Sequence, residues 1–255
     1  MSEQFKDQGG AATMDPSALL RWVTSKVMTY VISPKRLAKN RIKVEKQRQA
    51  NNQRHTVEYF HQVDDGYSHL SAQALAALAE RYDIDLQCHL VDGPAGANAP
   101  EPELLVNLSR YDASKIAPHY KLDFPENLDA PTVTLLKLAR SILANLNNQD
   151  FVAHAATVGH ALWSGSEVAL QELGKVHGFS SLEEEKAKYE NGNTRRDSLK
   201  HYSGAMFYCG GEWYWGIDRL YHLEQRLSDL GADRQPNTAV IRPKQEVKAG
   251  QLRDN

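Results

Sequence analysis

Cysteine is almost missing from this chain. Its 255 residues hold only Cys88 and Cys209, far apart and forming no Cys-x-x-Cys. That excludes a disulfide framework and points to a reduced, cytoplasmic setting. A dominant charge is lacking too: a formal net charge of -2 argues against a dedicated nucleic-acid binder, so none is expected as partner. No apolar run is clean enough for a transmembrane segment, because Arg21 and Lys26 interrupt the fairly apolar residues 17–33. Residues 1–14 are polar and contain glycine, unlike the basic start and apolar core of a signal peptide, and read as a disordered leader. His55, His61, His69 and the pair Asp64-Asp65 lack any recognised ligand spacing, so no metal is expected.

What is present is a 41% hydrophobic chain, enough for one large domain or a domain with an inserted subdomain. A helix starts at Asp15-Pro16-Ser17, and Leu19, Leu20, Val23, Val27, Tyr30 and Val31 recur on one apolar stripe until Pro34 ends it. Residues 35–54 then carry eight basic side chains against Glu45 alone. Residues 15–54 therefore read as an amphipathic, then basic, helical arm. Two uses stay open for residues 35–54: docking onto an acidic protein partner or membrane surface, or packing as a solvated helix against the chain's own acidic body.

The main domain spans 55–231. Thr56–Val63 reads as a strand that breaks at Asp64-Asp65-Gly66 and feeds an alanine-rich helix running to about Arg81. Ile84–Val91 alternates apolar and polar residues as a second strand, so the unit is a parallel, right-handed βαβ. Asp92–Pro102 is a loop, Glu103–Tyr120 is helical until Pro118, and Leu122–Pro131 is extended. Helical periodicity follows over Thr132–Asn147, Phe151–Ser164, Glu167–Val176 and Leu182–Asn191, which makes a helical insert at about 103–200. Ala205–Cys209 and Glu212–Trp215 flank Gly210-Gly211 as a hairpin. A last helix turns Leu220, Leu223, Leu227 and Leu230 inward and stops at Gly231; residues 232–255 read as a polar tail or linker.

The strand-to-helix junction is the natural place for chemistry, since it aims helix N–H groups above the sheet edge. Asp64 and Asp65 stand where either a helix cap or a reactive carboxylate belongs. Tyr67 and Ser68 occupy the first helical turn, as donors or as local packing. His61 and His69 flank it, as proton carriers or as structural histidines. Cys88 and Cys209 fall in strands, where buried thiols are inert, and Trp163, Trp213 and Trp215 suit a core or a pocket wall.

Three segments resemble the DsbA superfamily, and within it the branch of 2-hydroxychromene-2-carboxylate isomerases and kappa-class glutathione transferases. Asp65-Gly66-Tyr67-Ser68-His69-Leu70 resembles that branch's Ser-Pro-Tyr-Ser-Tyr-Leu turn, whose four leading places hold Cys-x-x-Cys in disulfide oxidoreductases. Phe151 through Ala161-Leu162-Trp163 is similar to a helix bearing Ala-Leu/Met-Trp. Gly211-Glu212-Trp213-Tyr214-Trp215-Gly216-Ile217-Asp218-Arg219-Leu220 is similar to Gly-Glu-x-Phe-Trp-Gly-x-Asp-Arg-Leu. Weaker agreement at Asp112, Ala117, Tyr120, Leu122 and Phe124 extends the resemblance over most of 56–230.

The resemblance implies an α/β, thioredoxin-like fold with a DsbA-like helical insert, here preceded by the helical arm. It implies Asp65, Ser68, Tyr67 and His69 as the catalytic places. It implies Ala205, Met206, Ile217, Asp218 and Arg219 as the surroundings of a glutathione cofactor, with a small thiol or an acidic aromatic compound as substrate; a homodimer stays open. The departures are as informative. Disulfide exchange needs a thiolate, which neither Asp65 nor Ser68 supplies. An ionised Asp65 only accepts hydrogen bonds and repels a thiolate, unless it is protonated or Ser68 or Tyr67 donates instead. Ala205 stands in the place of the family's cis-proline, so the bond before it is expected to be trans. Three uses follow: a glutathione-like pocket with altered or reduced catalysis, a non-catalytic scaffold using the basic arm, or Asp65 as a general base on a small acid.

Overall fold

The computed structural model describes residues 17–31, 33–95, 101–125 and 130–234. The expected leader, most of the tail and parts of the segments at 92–102 and 122–131 lie outside them. The chain divides into two units, with the boundary between Asn52 and Gln53.

The first unit holds helices α1 (Ala18–Val31) and α2 (Pro34–Ala50). Pro34 both closes the first helix and opens the second. Its missing N–H falls in a first turn, where no partner is needed, and the Ser33 side chain accepts from the Arg36 N–H as cap. The Arg36 guanidinium lies 5.4 Å from the Tyr30 ring centroid.

The second unit opens with β1 (His55–His61), α3 (Gly66–Ala72), α4 (Leu75–Arg81) and β2 (Ile84–Leu90). Five helices follow: α5 (Pro102–Tyr120), α6 (Val133–Asn145), α7 (Asn148–Trp163), α8 (Glu167–His177) and α9 (Leu182–Ser198). The chain then returns as β3 (Met206–Cys209) and β4 (Glu212–Trp215), a 3-10 turn Ile217–Arg219, and α10 (Leu220–Asp229). The sheet order is β2-β1-β3-β4, with β1 and β2 parallel and the other two pairings antiparallel. A βαβ half and a β-hairpin-helix half thus share one sheet, with α5 to α9 inserted between them. This is the thioredoxin-like fold in its DsbA arrangement.

Alternation along β1 divides the core. Val57 and Tyr59 face the large cluster with Leu70, Leu75, Ala155 and Val158. Phe60 joins Val91 and Met206 in a smaller one. Glu58, only 5% exposed, lies between strand and α9. Burial alone would raise its pKa, but a two-pronged bond from Arg195 (2.7 and 2.6 Å) and a contact with His89 Nε2 (3.1 Å) hold it down at about 2.

Four expectations are revised. The helix read as continuous to Arg81 is two, broken at Gln73-Ala74. At the break the Gln73 side chain clasps the backbone of Asp123, donating to its carbonyl (2.8 Å) and accepting from its N–H (3.0 Å). Pro118 does not end α5, which continues to Tyr120 and closes on left-handed Lys121. Helix α9 runs past Asn191 to Ser198, because its last turns are bound from outside: Asn193 holds the backbone and carboxylate of Asp92, and Arg196 donates to the Asp92 carbonyl. Leu230 is only half-buried, and Glu224 lies inside instead, accepting from the Tyr82 hydroxyl at 3.2 Å.

Gly192 lets α9 reach the sheet: a Cβ there would sit 1.9 Å from the Leu90 carbonyl oxygen. Gly192→Ala is expected to cost about 2–4 kcal/mol, since backbone must move to admit the methyl. Chemical denaturation of the variant measures it.

Candidate functional site

The site is built at the end of β1. Asp65 has extended backbone (φ -109, ψ 123) and caps α3. Its Oδ2 accepts from the Ser68 N–H (2.9 Å) and the Ser68 hydroxyl (3.0 Å). Its Oδ1 accepts from the Ser109 hydroxyl (2.7 Å) and, longer, from the Tyr67 N–H (3.4 Å). A carboxylate offers about four acceptor positions. All are taken. Burial pushes the Asp65 carboxyl above its ordinary value, against the pull of Ser109, Ser68 and Tyr67, which favour the charged form.

Ser68 is fully buried and equally committed. Its hydroxyl donates to Asp65 and accepts from the Gln62 N–H at 3.1 Å. The Tyr67 hydroxyl donates to the Asp112 carboxylate on α5. The Tyr120 hydroxyl donates to Asp218 (3.3 Å). Burial and the fields of Asp112, Asp218 and Asp65 together raise the Tyr67 phenol. Burial and Asp218 push Tyr120 up to about 12, and burial, with Asp112 behind it, raises Asp218. The surroundings are acidic and already bonded.

The two histidines are neutral and inside. His61 Nδ1 lies 3.0 Å from the Tyr59 hydroxyl, which donates to the Ser68 carbonyl at 2.8 Å. Since that hydroxyl has one proton, His61 must carry its own on Nδ1 and donate it to Tyr59. Burial, with His69 nearby, holds His61 down at about 3; burial, with His160, does the same for His69. His69 Nδ1 is buried without a hydrogen-bond partner, against Gly159 on α7. Neither ring faces Asp65 through a hydrogen bond among the described residues.

The places opposite differ from the proline loop of the resemblance. No cis bond occurs among the described residues, and Ala205 sits in left-handed backbone at φ +51, 1% exposed. Met206 points to the other side of the sheet with Phe60 and Val91, away from the Asp65 network. Ile217 is core at 1% exposure, and α3 packs against its 3-10 turn. Arg219 sits at the N-cap of α10 without a side-chain capping bond. Asp218 reaches the cluster through Tyr120 rather than by capping α10. Trp163 is buried against Phe124, Trp213 is half-buried and donates to the Leu199 carbonyl, and Trp215 is 48% exposed. Cys88 and Cys209 form no disulfide among the described residues, and burial pushes Cys88 well up. No group of three or more metal-ligating side chains occurs among the described residues.

Ser109 was not singled out in the sequence. Its signal was there: Ser109, Asp112, Ala113, Ala117 and Tyr120 fall on one face of α5. That face meets α3 closely at Gly66, where a Cβ would lie 2.9 Å from Ala113 Cβ.

No family model matches this chain, and neither does any curated protein. Solved structures do. A 2-hydroxychromene-2-carboxylate isomerase shares 17% identity at TM-score 0.49, covering 69% of this chain and 96% of its own. A putative protein disulfide isomerase from Nitrosomonas europaea shares 15% at TM-score 0.49, covering 70% and 97%. The cytosolic disulfide reductase DsbM from Pseudomonas aeruginosa shares 18% at TM-score 0.44, covering 68% and 98%.

Two outcomes follow from this geometry. Asp65→Ala removes the cap and orphans two hydroxyls, and is expected to cost about 2–3 kcal/mol in urea denaturation, while Asp65→Asn, which still caps, costs about 1. The pH profile follows from His61 and His69. Their folded pKa values lie below the unfolded 6.5, so the unfolded chain binds more protons in acid. Their contribution is complete above pH 6.5 and is lost as pH falls toward 3, by up to about 1.4 kcal/mol per pH unit for each ring. The raised Asp65 works in the opposite direction. A stability profile that stays flat between pH 6.5 and 4.5 would mean that neither ring is held neutral.

Proposed function

We propose that this chain is a thioredoxin-fold adaptor, non-catalytic at the turn where its fold relatives hold their sulfur or hydroxyl. One observation carries the reading: every polar side chain of Asp65-Gly66-Tyr67-Ser68 is already bonded within the protein. Glutathione chemistry needs a donor for the thiolate, and the hydroxyls of Ser68 and Tyr67 each give their one proton to a carboxylate. An ionised Asp65 would also oppose a thiolate at 4 Å by about 4 kcal/mol at an effective dielectric near 20. General-base chemistry needs an open lone pair, and Asp65 has none to offer. The working surface is then the basic arm at 35–54, facing an acidic partner. Two cysteines that form no disulfide suit a reducing, cytoplasmic setting.

A second reading keeps glutathione, or a small acidic aromatic compound, as a bound ligand with altered or reduced catalysis. The Tyr120–Asp218 pair beside α3, followed by Arg219, favours it. Calorimetry and turnover assays separate the two. Glutathione titrated to millimolar concentration is expected to give no heat of binding. Insulin reduction and conjugation of an electrophilic aromatic compound are expected to run at the uncatalysed rate. Turnover above background, or a sub-millimolar glutathione affinity weakened by Asp218→Ala, would move the assignment to the second reading.

A further inference from the structure

We infer that α1 and α2 form a docking surface for an anionic lipid bilayer, with α1 lying in the plane of the interface. Along α1, Leu19, Leu20, Val23, Val27 and Tyr30 share one face within an arc of about 100°, at 100° per residue. All five are exposed, Leu19 and Tyr30 most fully at 73% and 65%; Lys26 borders the stripe, and Trp22, about 60° outside it, is exposed at 61%. This is an aliphatic stripe with aromatic residues beside it, the composition of helices that seat at the headgroup boundary. Thr24 and Thr29 lie outside this stripe, on the side that would face the headgroups and water. At 14 residues α1 is about 21 Å long, too short to cross a hydrocarbon core of about 30 Å. It can lie in the surface but not span it.

Helix α2 supplies the complementary charge. Lys35, Lys39, Lys43 and Lys46 fall on one face within an arc of about 100°, all exposed and none in an ion pair among the described residues. Glu45, the one acid of the helix, is bound to Arg48 at 2.7 Å. Lysines four apart repel one another, so the face adds nothing to the stability of its own helix. Exposed ammonium groups next in sequence to an apolar stripe match a surface that is both anionic and hydrocarbon-bearing. An acidic protein would satisfy the lysines alone, and a nucleic-acid backbone would leave the stripe in water. The inference deepens the adaptor reading by naming its partner, and rests on that reading.

The test uses the full chain and vesicles of phosphatidylcholine with and without phosphatidylglycerol, read by co-sedimentation. Binding is expected only to the anionic vesicles and is expected to weaken as salt rises. The K35E/K39E/K43E/K46E variant is expected to lose more than a hundredfold in affinity, at roughly fivefold per lysine. The V23D/V27D variant is expected to lose at least tenfold with the lysines intact. Circular dichroism checks that both variants keep their helix content. No binding to anionic vesicles overturns the inference, as does equal binding to neutral ones. Binding to polyglutamate without vesicle binding would assign the lysines to an acidic protein, and a dimer abolished by V23D/V27D without vesicle binding would assign the stripe to a second copy. Failure here is distinct from failure of the adaptor reading: turnover at the Asp65 turn would sink that reading with vesicle binding intact.

Discussion

A carboxylate placed inside a protein must be given donors, or it is driven to its neutral form. Asp65 is given four, and the elements that supply them are the ones that define the unit. The two backbone N–H groups come from the first turn of α3. The Ser68 hydroxyl, in the same turn, also receives the Gln62 N–H from the end of β1. The Ser109 hydroxyl comes from α5, the first helix of the insert. Strand, crossover helix and inserted helix are thus tied through two oxygen atoms. Removing any one donor leaves the others holding a less satisfied buried charge, so the arrangement stands or falls together.

The same bonds decide the chemistry. A reactive group at a helix N-terminus works because the N–H groups and the dipole stabilise charge arriving from a substrate. Here those N–H groups are already bonded to the protein's own Asp65 carboxyl. Capping and catalysis draw on the same donors, and in this chain the Tyr67 and Ser68 N–H groups are bonded to Asp65. Ala205 holds left-handed backbone, a conformation that costs a residue with a Cβ about 1–2 kcal/mol. The carbonyl of Ala205 comes within 3.0 Å of where a Gly216 Cβ would sit, so the two segments are fitted to each other.

What could be read from the residues was whatever is local. Period-two alternation placed β2, Gly210-Gly211 placed the hairpin, and the aspartate before Gly66 announced a cap. The trans bond before Ala205 follows from the cost of a cis bond to any residue but proline. What could not be read depends on partners far along the chain. Gln73 divides a helix in two at the point where it holds Asp123, fifty positions on. Helix α9 outlasts its Asn-Gly-Asn sequence because Asp92 and Glu58 hold its last turns, and intrinsic propensity is weak beside such contacts. Ser109 looks like any serine on a helix until α3 is brought against it. Asp65 as a cap was legible, but that its four acceptor positions are filled was not.

The two units treat charge in opposite ways, and that contrast bears on how the protein works. In the second unit charges are matched internally: Glu58 with Arg195, Asp92 with Arg140 and Arg81 with Asp233. Even the Asp65 carboxylate is fully enclosed by donors. In the first unit the four lysines of one face have no such match among the described residues, and the apolar stripe of α1 is exposed. Unpaired like charges and exposed aliphatic surface each raise the free energy of the free molecule. Neither adds to the stability of the helices that carry them. A partner that removes both penalties together gains more than one that removes either alone. An anionic, hydrocarbon-bearing surface would do this, and that is the physical ground on which the arm is proposed as the docking surface.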